Sequence, residues 1–270
     1  MILTERAVLL NYPRTGSTFV RQELRRLHGH EGSGLRPRLR RLLDRRRFQE
    51  LSLPILRTES AERSGRRSQH GALSQIPASH AHLPVISVWR DPLDRAVSQF
   101  EHGFWRDHPP GGEAAARQLF PHFPRLDFGE YLELQANLGR ADVLKGRRLD
   151  SGVGPDTLHL VRFFAVDPEG ALDRLGEMPI EEAVDSGQLR AELGPVRFLR
   201  FERLAEELAA LLVELGFSPD QVDHLASAPR VNAATSRAGR GVEQYFTPDL
   251  EAAYRRRERF LFALEEELDA

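Results

Sequence analysis

The chain of 270 residues contains no cysteine. Without thiols it can form neither disulfide bonds nor thiolate metal sites, so disulfide-stabilised and cysteine-zinc proteins are excluded. Lysine is almost absent as well: Lys145 is the only one, and every other basic side chain except histidine is an arginine. We interpret this imbalance as a bias toward GC-rich codons and not as part of a mechanism.

Long apolar runs are also missing. A membrane-spanning helix needs about 20 consecutive apolar residues, and no stretch of the chain reaches that length. Because the first strand-like segment begins close to Met1, we expect no signal peptide. We therefore expect no membrane span and a cytoplasmic location. The histidines and acids show no metal-ligand spacing such as His-Glu-x-x-His, so the sequence predicts no metal site.

Hydrophobic residues make up 40% of the chain, which is enough to bury a full core. We expect a single domain over residues 1–270. The stretch 105–126 is rich in proline, glycine and histidine and indicates an insertion or lid.

The most informative segment lies near the start of the chain. The apolar run Ala7–Leu10 predicts a buried strand, and an amphipathic run from Phe19 predicts a helix. A turn between a strand and a helix N-terminus presents free N–H groups and the positive end of the helix dipole to an anion. The standard triphosphate loop, Gly-x-x-x-x-Gly-Lys-Ser/Thr, does not occur. The segment predicts a phosphate or sulfate cradle, and its candidate ligands are Arg14, Thr15, Gly16, Ser17 and Thr18.

A second candidate anion site follows another apolar run, Val85–Trp89. Asp91 can cap a helix whose first turn holds Pro92. Arg90 then stands at the carboxyl end of a strand, and Ser98 stands about two turns into the next helix. A guanidinium and a hydroxyl in these positions can share a second phosphate.

The two motifs, Pro-Arg-Thr-Gly-Ser-Thr and Arg-Asp-Pro-Leu-Asp-Arg-x-x-Ser, resemble the cofactor motifs of sulfotransferases that use 3′-phosphoadenosine 5′-phosphosulfate (PAPS). The nearest likeness is to bacterial-type carbohydrate and uronyl 2-O-sulfotransferases. By this resemblance the residues from Arg14 to Thr18 would hold the 5′-phosphosulfate. Arg90 and Ser98 would hold the 3′-phosphate. Arg14 would also serve catalysis by stabilising charge on the bridging oxygen.

The resemblance implies two further assignments. His70, in Ser-Gln-His-Gly, corresponds to the His-Gly segment that carries the proposed base in uronyl 2-O-sulfotransferases, although that family's second histidine is Ala72 here. The stretch containing Arg237 and Arg240 partly matches a C-terminal segment with which cytosolic sulfotransferases bind the 3′-phosphate. The same stretch fits a surface loop equally well. Other candidate bases are His80, His82, His102, His108, Glu59 and Glu62.

Alternating strands and helices predict an α/β fold in which a P-loop-like parallel sheet is covered by helices on both faces. The resemblance implies the sulfotransferase fold. Strands are predicted at Ala7–Leu10, Leu53–Arg57, Val85–Trp89 and Val196–Phe201. Helices are predicted at Thr18–His28, Leu93–Phe104, Phe128–Asn137, Arg203–Leu215 and Pro248–Leu268.

The charge is unevenly distributed: the first 110 residues carry an excess of arginine and the remainder an excess of acids, for a net charge of −2. The arginine runs at 36–41 and 45–47 indicate a solvated face or, alternatively, a patch for an acidic acceptor. They lack interleaved aromatics, so nucleic acid is not expected as a partner.

The expected reaction is transfer of a sulfuryl group from PAPS to a hydroxyl acceptor, with release of adenosine 3′,5′-bisphosphate (PAP). A glycan, including an acidic one, or another hydroxylated small molecule would be the acceptor. Two alternatives remain open at this point. One is a kinase or other phosphoryl transferase with a similar loop. The other is a nucleotide-binding module of the same fold without catalysis.

Overall fold

The computed structural model describes residues 1–30, 47–148, 152–176, 179–227 and 241–269. It is an α/β structure with a mixed five-stranded sheet and many helices. The strands are β1 (Ile2–Thr4), β2 (Val8–Leu9), β3 (Phe48–Glu50), β4 (Leu53–Pro54), β5 (Arg67–Ser68), β6 (Val85–Trp89) and β7 (Val196–Arg200).

The helices are mostly short. They are α1 (Ser17–Leu27), α2 (Glu59–Arg63), α3 (Pro92–His102), α4 (Phe104–Asp107), α5 (Glu113–Leu119), α6 (Phe128–Leu134), α7 (Arg140–Leu144), α8 (Pro155–Phe164), α9 (Pro168–Gly176), α10 (Ile180–Asp185), α11 (Gln188–Glu192), α12 (Leu204–Glu214), α13 (Pro219–Val222), α14 (Pro248–Arg257) and α15 (Arg259–Asp269). Among the helices described, none is long and apolar enough to cross a membrane.

The main sheet has the order β3-β1-β2-β6-β7. Strands β2, β6 and β7 are parallel, as the sequence predicts, whereas β1 pairs antiparallel with both β2 and β3. The reason is a tight turn, closed by Thr4 N–H donating to Ala7 O at 3.0 Å, that folds the chain back after β1. A connection this short permits only antiparallel pairing. The expectation of a purely parallel sheet is corrected to a mixed one.

The described chain divides into two compact units. The first comprises Met1–Leu53, Arg67–Arg90 and Pro195–Thr235, and it contains the five-stranded sheet. One face of that sheet packs against α1 and α12, which share a single apolar core with it. The largest contributors are Leu9, Phe19, Leu24, Ile86, Val88, Leu199, Leu208, Leu211 and Leu212. Both of these helices therefore lie on the same face of the sheet. That helices cover both faces stays a prediction.

The other face of the sheet is buried too. Val85, Ser87 and Trp89 alternate with the core residues of β6, and all three are buried. A strand buried on both sides favours apolar residues at successive positions, and β6 is apolar except at Ser87, whose hydroxyl donates to Leu10 O at 2.9 Å.

The second unit comprises Pro54–Arg66, Asp91–Gly194 and Ser236–Ala270 and has a core of its own. The stretch 105–126, predicted as an insertion or lid, holds the short helices α4 and α5 and supplies buried side chains to this core. They are Trp105, Ala116, Phe120, Phe123 and Leu126. The lid role and the single domain over 1–270 stay predictions.

The last predicted helix is divided at Glu258. This fully buried residue ends α14, and its carboxylate caps the start of α8. Oε1 accepts from Asp156 N–H at 3.1 Å, and Oε2 accepts from the N–H and hydroxyl of Thr157 at 2.8 and 2.7 Å. A side chain at Gly154 would overlap this carboxylate, so the cap requires glycine there.

The predicted strand at Leu53–Arg57 extends only over Leu53–Pro54, and it pairs with β5 outside the main sheet. Pro54 cannot donate a ladder hydrogen bond, which disfavours a longer strand. Arg57 instead is buried with its guanidinium 4.6 Å from the ring centre of Phe163.

Lys145, the only lysine of the chain, follows α7 with a left-handed φ of 52°. Its ammonium lies 2.6 Å from the carboxylate of Glu62 and 3.8 Å from that of Glu169. The side chain is only 15% exposed, so these carboxylates hold it against the protein.

Candidate anion-binding site

The candidate site lies within the first unit, at the carboxyl ends of the parallel strands β2, β6 and β7. Residues 10–16 follow β2, Arg90 follows β6, and Phe201 follows β7. Parallel strands in register end at the same edge of a sheet, and ligands of α/β sheets bind beyond that edge.

The segment after β2 forms a tight turn into α1. Arg14 and Gly16 have left-handed φ angles of 67° and 92°, and Gly16 directly precedes the helix. The hydroxyls of Thr15 and Ser17 donate to Tyr12 O at 2.9 and 3.3 Å and so close the turn. The first N–H groups of any α-helix have no partner within the helix. Those of α1, together with the positive end of its dipole, are therefore the candidate donors to an anion at this turn.

Arg90 lies against this turn. Its Nη1 donates to Arg14 O at 3.3 Å, and its guanidinium stacks on Phe201, with Cζ 4.5 Å from the ring centre. Burial and, second, the like charge of Arg90 lower the pKa of Arg14. The Arg14 guanidinium is thus partly desolvated and within electrostatic reach of the Arg90 guanidinium. An anion placed between them would relieve their repulsion.

The structure also defines the tautomer of His70. Its Nδ1 lies 2.7 Å from Asn11 O, and a carbonyl oxygen only accepts hydrogen bonds, so Nδ1 carries the proton. In a neutral imidazole this leaves the lone pair on Nε2, the form that a general base requires. Asn11 Nδ2 donates to Gln69 O at 3.2 Å, which fixes the segment next to His70.

The remaining predicted site residues are Ser98, Arg237 and Arg240. Ser98 is buried on α3, which belongs to the second unit, and its role beside Arg90 stays a prediction. Arg237 and Arg240 lie outside the described residues, as do the arginine run at 36–41 and the first two residues of the run at 45–47.

The alternative bases have other surroundings. His82, His102 and His108 are exposed, and His80 Nδ1 lies 2.9 Å from the hydroxyl of Ser79. Glu59 and Glu62 form ion pairs with Arg63 and Lys145 in the second unit. Within the described ranges, no three His, Cys, Asp or Glu side chains are grouped as metal ligands would be.

Two residues that the sequence did not single out belong to the site. Asn11 holds the segment of His70, and Phe201 contacts Arg90. The available signal for Phe201 was its position at the carboxyl end of the predicted strand Val196–Phe201, comparable to that of Arg90 directly after the predicted strand Val85–Trp89. For Asn11 the signal was a polar residue directly after a buried strand.

No family model, curated protein or solved structure matches this chain. The candidate site is therefore defined by its own residues: the turn from Asn11 to Thr18, together with His70, Arg90 and Phe201.

Proposed function

We propose that the protein is a PAPS-dependent sulfotransferase. The observation that carries this proposal is the contact of Arg90 with Arg14, which joins the two sequence motifs at the carboxyl edge of the sheet. A ligand with two anionic groups matches a site with two guanidinium groups and a helix N-terminus better than a single small anion does. PAPS carries anionic groups at both its 3′ and 5′ positions.

In this proposal the chain stabilises the negative charge that develops on the leaving oxygen and removes the proton of the acceptor hydroxyl. Sulfuryl transfer resembles phosphoryl transfer, in which alignment and charge stabilisation do most of the work. Arginine stays protonated at working pH, so Arg14 would stabilise negative charge on the leaving oxygen without donating a proton. The unprotonated Nε2 of His70 would accept the proton of the acceptor hydroxyl.

Calorimetric titration with PAP, in the absence of magnesium, tests the cofactor assignment. We expect the wild type to bind PAP and Arg90→Ala to bind it at least about tenfold more weakly, because a charge-assisted pair to phosphate is lost. ATP and adenosine 5′-monophosphate should compete poorly. Arg25→Ala is the control, since Arg25 lies on α1 and pairs with Glu50 on β3.

Absence of PAP binding by the wild type would contradict the proposal. A preference for magnesium-ATP would instead support phosphoryl transfer by the same turn.

The assignment of His70 predicts a separation of binding from turnover. His70→Ala should keep the PAP affinity of the wild type and lose about 100-fold or more in turnover of a hydroxylated acceptor, the usual contribution of a general base. The exposed His82→Ala should leave both unchanged. The measurement is transfer of labelled sulfate from PAPS to a panel of glycans. Full turnover by His70→Ala would show that another residue is the base.

A further inference from the structure

Phe201 lies where it can act on the anion site without being charged itself. It is the first residue after β7 and is half-buried. The guanidinium carbon of Arg90 lies 4.5 Å from the centre of its ring. At this distance the electron-rich face of the ring attracts the cation and restricts its orientation.

The same ring also packs against the turn. A Cβ atom at Gly16 would lie 2.6 Å from Cδ2 and 2.9 Å from Cε2 of Phe201, which is closer than such atoms approach in proteins. The backbone of Gly16 therefore lies directly against the edge of the ring, and Phe201 excludes any larger residue at that position.

These contacts link Phe201, Arg90 and the turn to one another. Phe201 contacts both Arg90 and Gly16, and Arg90 in turn donates to the carbonyl oxygen of Arg14. The Nε atom of Arg90 is buried although the residue as a whole is partly exposed, so the inner part of the guanidinium is held within the protein. A side chain that is already ordered loses less conformational entropy when a ligand arrives.

We propose that Phe201 is a positioning residue that orients Arg90 and supports the Gly16 turn before an anion binds. The ligand used to test this, PAP, rests on the proposed function. The contact between Phe201 and Arg90 does not, and it can be measured in the free protein.

The first experiment uses the NMR signal of the Arg90 Nε–H group. Because this group is buried and close to an aromatic ring, we expect a slowly exchanging resonance with a ring-current shift. Arg90→Lys removes the resonance and so identifies it. Phe201→Leu should move it toward the position typical of arginine in solution, and Phe201→Tyr, which keeps the ring, should not.

The second experiment measures PAP affinity by calorimetry. Phe201→Leu should bind PAP about five- to tenfold more weakly, the range expected when a cation–π contact is lost, and Phe201→Tyr should stay within about twofold of the wild type. Phe217→Leu is a matched control. The guanidinium carbon of Arg6 lies at the same distance, 4.5 Å, from the ring centre of Phe217, and Arg6 precedes β2 whereas the turn follows it. This variant should keep wild-type affinity even if its stability falls.

The outcomes separate the two proposals. If the wild type does not bind PAP but the Arg90 resonance depends on the ring, the positioning role stands and the cofactor assignment fails. If Phe201→Leu binds PAP like the wild type, or leaves the Arg90 resonance in place, the positioning role is wrong. A double variant gives a further test. If Phe201→Leu weakens PAP binding by the same factor in the Arg90→Gln variant as in the wild type, its effect does not pass through Arg90 and the positioning role is wrong.

Discussion

Two independent features of the structure require glycine at position 16: its backbone conformation and its packing against Phe201. Its φ of 92° and ψ of 3° are left-handed, which costs an L-residue roughly 1–2 kcal/mol. In addition, its Cα lies against the ring of Phe201. Arg14 adopts a left-handed φ without being glycine, so the turn accepts backbone strain at the position that supplies its charge.

Gly16→Ala should therefore cost more than strain alone. We expect the free energy of unfolding to fall by about 2–4 kcal/mol, the sum of the left-handed penalty and the overlap with Phe201. Gly187→Ala is the matched control, because Gly187 has φ 71° and ψ 5° and its Cβ would have nothing within 4 Å. That variant should lose roughly 1–2 kcal/mol. Denaturant unfolding of both measures the difference, and equal losses would show that the ring does not confine Gly16.

At the scale of elements, the start of α8 depends on a carboxylate supplied by another helix. Glu258 is fully buried, and it accepts three hydrogen bonds from Asp156 and Thr157. Burial and, second, the charge of Asp156 raise the pKa of Glu258 to about 7, against an ordinary value of 4.5. The cap of α8 is thus coupled to pH.

The sign of this coupling follows from linkage. Between about pH 4.5 and 7 the folded protein keeps a proton on Glu258 that the unfolded chain has released, so the free energy of unfolding falls as pH rises through this window. Glu258→Gln, which cannot titrate, should remove this part of the pH dependence. The exposed Glu206→Gln should keep the wild-type profile. Denaturant unfolding at several pH values tests this, and a Glu258→Gln profile with unchanged slope would contradict it.

At the scale of the whole molecule, charge is distributed unequally along the chain. The net charge is only −2, but the arginine excess is concentrated in the first 110 residues, which include the turn, His70 and Arg90 of the candidate anion site. Local positive potential raises the concentration of anions near a site even when the protein as a whole is slightly acidic.

Affinity for PAP should therefore depend on salt. Raising NaCl from about 50 to about 500 mM shortens the screening length from over 10 Å to below 5 Å and should weaken binding several-fold. Arg90→Gln should show a shallower dependence, since one of the charges that face the ligand is gone. Calorimetry at four salt concentrations gives both slopes. An affinity independent of salt would mean that charge attraction is not what binds the ligand.

The sequence predicts those strands, helices and caps that are determined by residues close together in the chain. The apolar run of β6, the amphipathic face of α1 and the Asp91 cap of α3 are each set by neighbouring residues. The turn before α1 was predicted for the same reason, because a strand, a glycine and a helix start lie within a few residues.

Features that depend on distant residues could not be predicted. The division of the C-terminal helix at Glu258 reflects a cap on a helix about 100 positions earlier in the chain, and no local breaker marks it. The contact of Phe201 with Gly16 likewise joins residues that meet only when β7 completes the sheet. The antiparallel β1 was missed because its three residues are too few for a clear pattern.

The position of Lys145 determines how the protein can be attached to a surface or a dye. Reagents that acylate amines need an accessible, unprotonated amine, and the only lysine is 15% exposed and held by Glu62. Amine coupling should therefore proceed poorly at this side chain. Because the chain has no cysteine, a single cysteine introduced at an exposed position such as Glu206 would carry a label at one known point.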